Sequence, residues 1–204
     1  MAELMERYRQ GHAPPVPEEA YARASREVLA EQRRKVFGRR CPDEFAVPIE
    51  RQRMKAPASA VDRALSWSMT SPGLWLWSSA TGQGKTRVLW ELYRIAYTER
   101  GKSICELTGQ QWADEVWQHH MAGTMQQLWG WLMRWDLLVL DDLDKANLTD
   151  ERQARAMREL LDVLYRGRVP AVVTANRPPS WITEMLGQSA GRRAAEAFTA
   201  IRFE

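Results

Sequence analysis

The sequence predicts an α/β fold, a mostly parallel five-stranded sheet flanked by helices. Three observations predict it. Apolar runs of strand length alternate with stretches of helical periodicity along residues 57–204. A glycine-rich turn, Ser79-Ala-Thr-Gly-Gln-Gly-Lys-Thr86, joins one such run to a helix. A second run, Leu137-Leu-Val-Leu140 between Asp136 and Asp141, is unbroken by polar residues, as fits a strand covered on both faces.

The elements follow in order. Pro14, Pro15 and Pro17 argue against helix in residues 1–17. Residues 18–37 read as a charged helix. Its apolar positions, Ala22, Val28, Leu29 and Val36, are too sparse for a core of their own, so it must dock on the main domain, a second subunit or a partner. Residues 38–56, basic and broken by Pro42 and Pro48, read as a linker. The expected division is a helical extension and basic linker over 1–56 and a nucleotide-binding domain over 57–204. Ser59–Met69 fits a short helix leading into the first strand, Gly73–Ser78.

Val88, Leu89, Leu92, Tyr93, Ile95 and Ala96 keep helical spacing after the glycine-rich turn, and Gly101 stops that helix. Ser103–Leu107 is the second strand. Thr108 and Gln111 form a capping box for a helix that carries Trp112, Val116 and His120. Residues 124–135 are again helical. The strand ending at Asp141 follows, and then a helix opened by Asp150 and ended by Gly167. Val169–Thr174 is a further strand, residues 180–187 a short helix, and Ala200–Phe203 the last strand. The expected strand order is 5-1-4-3-2.

The glycine-rich turn matches the phosphate-loop pattern G-x-x-x-x-G-K-[ST] with serine at its first position. Ser79, Ala80, Thr81, Gly82, Gln83, Gly84, Lys85, Thr86 and Arg87 are the candidate nucleotide-binding residues. Gly82 and Gly84 let successive N–H groups face a phosphate. The helix beginning near Lys85 adds its positive end. Lys85 supplies a cation for the outer phosphates, and Thr86 a hydroxyl for magnesium. Ser79 must make a turn that other such loops leave to glycine.

Hydrolysis needs more than a loop. Asp141 and Asp142 emerge at the carboxyl end of a buried strand, where such sheets bind ligands. Asp141 is placed to hold Mg2+ beside Thr86, and Asp142 to polarise the attacking water. If the strand at 169–174 lies between these two, Asn176 sits near the γ-phosphate as a water-positioning residue.

Together these motifs, with the closing Gly-Arg-Arg-(x)8-Arg-Phe, resemble AAA+ ATPases of the DnaC/IstB type, bacterial and phage helicase loaders and transposition helper ATPases. The resemblance covers roughly residues 57–204. It implies Mg-ATP as cofactor, an ATPase activity, nucleotide-dependent homo-oligomers and no helical lid. It also implies a replicative helicase or a transposase as partner, on single-stranded or duplex DNA. An arginine before the last strand would act on a neighbouring subunit's ATP; Arg193 fits best, with Arg192 as the alternative. A nucleotide-gated interaction module that scarcely hydrolyses remains the rival from another class.

Composition agrees with this reading. Charged residues make up 27% and apolar residues 45%, as in a soluble globular protein. No apolar run is long enough to span a bilayer, no leader pattern opens the chain, and two cysteines build neither a disulfide framework nor a zinc site. A cytoplasmic setting is expected. Residues 1–56 carry twelve Lys/Arg against nine Asp/Glu, whereas the remainder is neutral. That segment suits nucleic acid or an acidic protein. Ten tryptophans are many for 204 residues. Trp75 and Trp77 share a strand face. For Trp112, Trp117, Trp129, Trp131 and Trp135 packing is expected rather than base stacking, because few basic residues interleave. His119 and His120 are expected at an exposed helix end.

Overall fold

The computed structural model describes residues 18–47, 49–50 and 54–204, with side chains from residue 25 onward. The expected irregular segment 1–17 lies outside these residues, as do Arg51 and Arg53 of the basic stretch.

Five strands form one sheet: β1 (Gly73–Trp77), β2 (Ile104–Thr108), β3 (Leu137–Asp141), β4 (Ala171–Ala175) and β5 (Phe198–Arg202). The order is β2-β3-β4-β1-β5 with every pair parallel, which is the expected 5-1-4-3-2 arrangement. Strand alternation divides the core in two. Trp75, Leu138, Leu140 and Val173 face one layer of helices. Leu74, Leu76, Leu137, Val139 and Val172 face the other. Double burial explains the apolar runs Leu137–Leu140 of β3 and Ala171–Val173 of β4.

The chain enters through α1 (Glu18–Arg40), a four-residue turn α2 (Asp43–Ala46) and α3 (Ala58–Leu65). The apolar positions noted in α1 are not buried against the domain where their side chains are described. Val28, Leu29 and Val36 are exposed. Phe37 and Cys41 are buried instead, and Phe37 packs on Trp90 and Tyr93, with ring centroids 6.2 and 5.7 Å apart. One aromatic anchor therefore seats the helix on the second core layer of the main domain, one of the docking sites the sequence left open.

Helix α4 (Lys85–Arg94) packs behind the phosphate loop and runs on as a π-helical turn, Ile95–Glu99. Gly101 then turns the chain at φ 66°. Helix α5 (Gly109–Met121) starts with both arms of the expected capping box: Gln111 N–H donates to Thr108 Oγ1, and Thr108 N–H to Gln111 Oε1. Helix α6 (Met125–Leu132) leads to β3. A 3-10 turn, Leu143–Lys145, follows β3, and then α7 (Glu151–Tyr165) opens on Asp150, whose carboxylate accepts from Arg152 N–H and Gln153 N–H. Helix α8 (Ser180–Leu186) is the expected short helix. Helix α9 (Gln188–Ala197) was not foreseen as a separate element; Ala190, Gly191, Ala194 and Ala197 bury its small-residue face. Small residues carry little hydropathy signal, which is why the periodicity escaped notice.

Candidate nucleotide site

The sheet brings the candidate residues to one edge. Strand β4 lies between β1 and β3, with Trp75 opposite Val173 and Leu140 opposite Val173. The carboxyl ends of all three strands open into a cleft of about 490 Å3. Thr81 to Arg87, Asp142, Lys145, Asn176 and Phe45 line it.

The loop curves as the glycines predict. Gly82 and Gly84 sit at φ 69° and 95°, which side chains disfavour. Ser79 is different from expectation. Among the described residues, the non-glycine positions with positive φ are Met69 and Asp142. Ser79 therefore needs no left-handed backbone, and serine meets no conformational penalty there.

Lys85 is buried at the base of the loop and donates to Ser78 Oγ and Asn176 Oδ1, both at 3.1 Å. Burial lowers its pKa, against the opposing pull of Asp142, Asp144, Asp141 and Glu204. Thr86 Oγ1 donates to Asp141 Oδ1 at 3.3 Å. The Asp141 carboxyl is pushed upward mainly by burial, while hydrogen bonds from Thr174 and Thr86 pull the other way. Thr174 is a residue that sequence reasoning named but gave no role. Its hydroxyl donates to Asp141 and accepts Asp142 N–H at 2.8 Å, so it ties β4 to the end of β3.

Asp142 turns the chain at φ 50°, ψ 48°, a left-handed conformation that aspartate tolerates better than most residues. Its carboxylate meets Lys145 Nζ at 2.5 Å. A third carboxylate, Asp144, went unnoticed in the sequence. It accepts Asn176 N–H at 2.9 Å and Asn176 Nδ2–H at 3.1 Å. This fixes the Asn176 amide: Nδ2 faces a carboxylate and Oδ1 faces an ammonium, so the opposite flip would set like against like. The only sequence signal was an aspartate three residues after Asp141. The turn also needs Gly109, the first residue of α5. A Cβ there would lie 2.4 Å from Asp142 O.

Arg87 is engaged by the incoming linker. Its guanidinium donates to Glu44 O and Val47 O and stands 5.9 Å from the Phe45 ring. A second groove, of about 260 Å3, lies there between Val47, Ile49, Met54 and the loop glycines. The remaining candidates lie elsewhere. Arg193 pairs with Asp162 of α7 at 2.6 Å, whereas Arg192 is 70% exposed with Glu196 at 3.9 Å. Both arginines thus belong to the α7–α9 face rather than to the loop of their own chain.

The tryptophans divide. Trp112 and Trp129 are core. Trp117 and Trp131 are exposed, and the Arg152 guanidinium lies 4.6 Å over the Trp117 ring. His120 is exposed as expected, while His119 is half-buried beside Thr124 and Glu115. Among the described residues, no three His, Cys, Asp or Glu side chains form a metal-binding cluster, and no helix is long and apolar enough to cross a membrane.

No protein-family model matches the sequence, and no curated protein matches it. Solved structures do. The DnaC helicase loader superposes with a TM-score of 0.58 at 16% identity over 72% of this chain and 86% of that one. AMPPCP-bound DnaA from Aquifex aeolicus gives 0.57 at 20% identity over 72% of this chain and 45% of that one. DnaI gives 0.52 at 15% identity over 72% and 79%. The chain spans less than half the length of that DnaA chain. With five parallel strands in the expected order, a phosphate loop after β1 and paired aspartates after β3, the chain has a phosphate-loop fold similar to that of the solved DnaC, DnaI and DnaA structures.

Proposed function

We propose that this protein binds Mg-ATP in the cleft at the ends of β1, β3 and β4 and hydrolyses it as a DNA-replication ATPase of the helicase-loader type. One observation carries the reading: Lys85, Thr86, Asp141, Asp142 and Asn176, distant in sequence, line or border a single cleft joined by hydrogen bonds. DnaC as helicase loader and DnaA with AMPPCP, its neighbours in fold, support the class.

The donor set fits magnesium. Thr86 and Asp141 offer a hydroxyl and a carboxylate, hard oxygens already within 3.3 Å of each other. Magnesium held with nucleotide phosphates needs few protein ligands, which agrees with the lack of a three-residue metal cluster among the described residues. When bound, the ion would neutralise charge on the phosphate oxygens. The chain's own residues supply the rest. The loop N–H groups and Lys85, which has a third N–H beyond its bonds to Ser78 and Asn176, hold and orient the phosphates. Asp142 takes up the proton of the attacking water. Asn176, aimed by Asp144, positions that water. An arginine from the α9 face of a second copy, Arg193 or Arg192, would complete the site in trans.

A second reading has its own observation. Asp142 is held by Lys145, and the Asn176 amide by Asp144 and Lys85. Both groups meant for water are occupied within the chain, as in a nucleotide-gated module whose turnover waits for a partner. Phosphate release measured alone, with single-stranded DNA, and with a replicative helicase separates the two. Stimulated release that disappears in Asp142→Asn while ATP binding persists supports the loader. Binding without release under any of these conditions leaves the gated module. Stimulation by duplex DNA and a transposase instead would place the protein among transposition helpers.

A further inference from the structure

The loop's first residue has a dedicated partner. Ser79 N–H donates to Glu204 Oε1 at 3.0 Å, and the Ser79 hydroxyl lies 2.8 and 2.9 Å from Oε1 and Oε2. Glu204 stands two residues beyond β5. Arg202, the last residue of β5, reaches Glu204 Oε1 at 3.2 Å while its guanidinium covers the Trp77 ring at 5.2 Å. Trp77 and Arg202 are register partners at the ends of β1 and β5, and Phe203 N–H donates to Trp77 O at 2.8 Å. Trp77, Arg202, Glu204 and Ser79 thus close a ring across two adjacent strand ends, and the phosphate loop departs from it.

We propose that Glu204 is a positioning residue for the phosphate loop, anchoring Ser79 to the end of β5 and so raising the chain's affinity for a nucleoside triphosphate. The inference rests on the loop being a nucleotide site. A glycine-rich loop loses conformational freedom when it closes on phosphates, and that loss subtracts from affinity. Fixing its first residue to the sheet removes part of the loss before the ligand arrives. Serine does this better than glycine, since its hydroxyl is a second donor to the same carboxylate. Glu204 bonds the first residue of the loop and leaves the N–H groups of Gly82 to Thr86 free of it, so it does not compete for the phosphate cradle. Its negative charge is opposed by Arg202 and by two Ser79 donors.

The test is the dissociation constant of a fluorescent ATP analogue with magnesium, for full-chain wild type, Glu204→Ala, Glu204→Gln, Ser79→Ala and the Ser79→Ala/Glu204→Ala double variant. Losing an exposed charge-assisted hydrogen bond predicts affinity about fivefold weaker in Glu204→Ala. The double variant should bind no more weakly than Glu204→Ala, because both changes remove one interaction. Glu204→Gln, which keeps an acceptor, should recover part of the loss, and the turnover defect should fall on KM rather than kcat. Glu204→Ala binding as tightly as wild type or tighter would overturn the proposal, as would losses that simply add in the double variant. Lys85→Ala measured alongside separates the claims. If it retains binding, the nucleotide reading itself falls; if it loses binding while Glu204→Ala matches wild type, the anchor alone falls.

Discussion

Replacing Asp144 by alanine tests how the site is aimed. The Asp144 carboxylate accepts two hydrogen bonds from Asn176, at 2.9 and 3.1 Å, and both residues are half-buried. A hydrogen bond to a charged group contributes about 1.5–3 kcal/mol net in a protein, and the partial exposure here favours the low end. Releasing the Asn176 side chain should therefore cost about 2 kcal/mol of orientation at the step that needs the amide. That corresponds to a fall in kcat of about thirtyfold. Affinity should change less than kcat, because Asp144 makes no hydrogen bond to Lys85 or Thr86 and the phosphate loop keeps its own donors. The assay is steady-state phosphate release at saturating Mg-ATP beside anisotropy of a fluorescent ATP analogue. Asp144→Asn retains an acceptor oxygen and should lie between alanine and wild type. In a double-mutant cycle, Asn176→Ala should add almost nothing to Asp144→Ala. Weaker binding with normal kcat, or losses that add fully, would refute the positioning argument.

Other outcomes follow from the same geometry. Gly109→Ala puts a methyl 2.4 Å from Asp142 O; it should destabilise the fold by about 1–3 kcal/mol in urea titration and slow phosphate release. Phe37→Ala removes the aromatic anchor of α1 and should cost about 3 kcal/mol, read as faster proteolysis within residues 18–40 with ATP binding retained. Burial raises the folded-state pKa of Asp141, so its contribution favours folding below the ordinary aspartate range and is lost as pH rises through the raised value. Asp141→Asn should accordingly raise the melting temperature of the nucleotide-free protein at pH 7, and by less near pH 4.

Much of this arrangement was legible in the sequence because it rests on local chemistry. The capping box at Thr108 and Gln111, the cap at Asp150 and the turns at Gly82, Gly84 and Gly101 each satisfy a backbone requirement that only a few residue types can meet. The central strand order followed from the chain order of the strands, with 103–107 between the two motif strands in sequence and 169–174 left to fill the gap between them in the sheet. What the sequence concealed depends on contacts between distant segments. Ser79 looked like a flaw until Glu204, 125 positions away, supplied its partner. Asp144 carried no signal of its own until β4 brought Asn176 beside it. Phe37, in a basic stretch, gave no sign of being an anchor until Trp90 and Tyr93 came under it. Arg193, read from the sequence as a residue acting on a neighbouring subunit's ATP, pairs within its own chain with Asp162, a partner its sequence position did not reveal.

The measurement that tests the account most directly is calorimetric titration of Mg-ATP into the wild-type protein and Lys85→Ala. Lys85 is the buried cation of the loop, bonded to Ser78 and Asn176. The account predicts one nucleotide per chain for wild type and affinity weakened by about a hundredfold or more in the variant, as expected for a lost charge-assisted phosphate contact. No binding by wild type, or equal binding by Lys85→Ala, would contradict it.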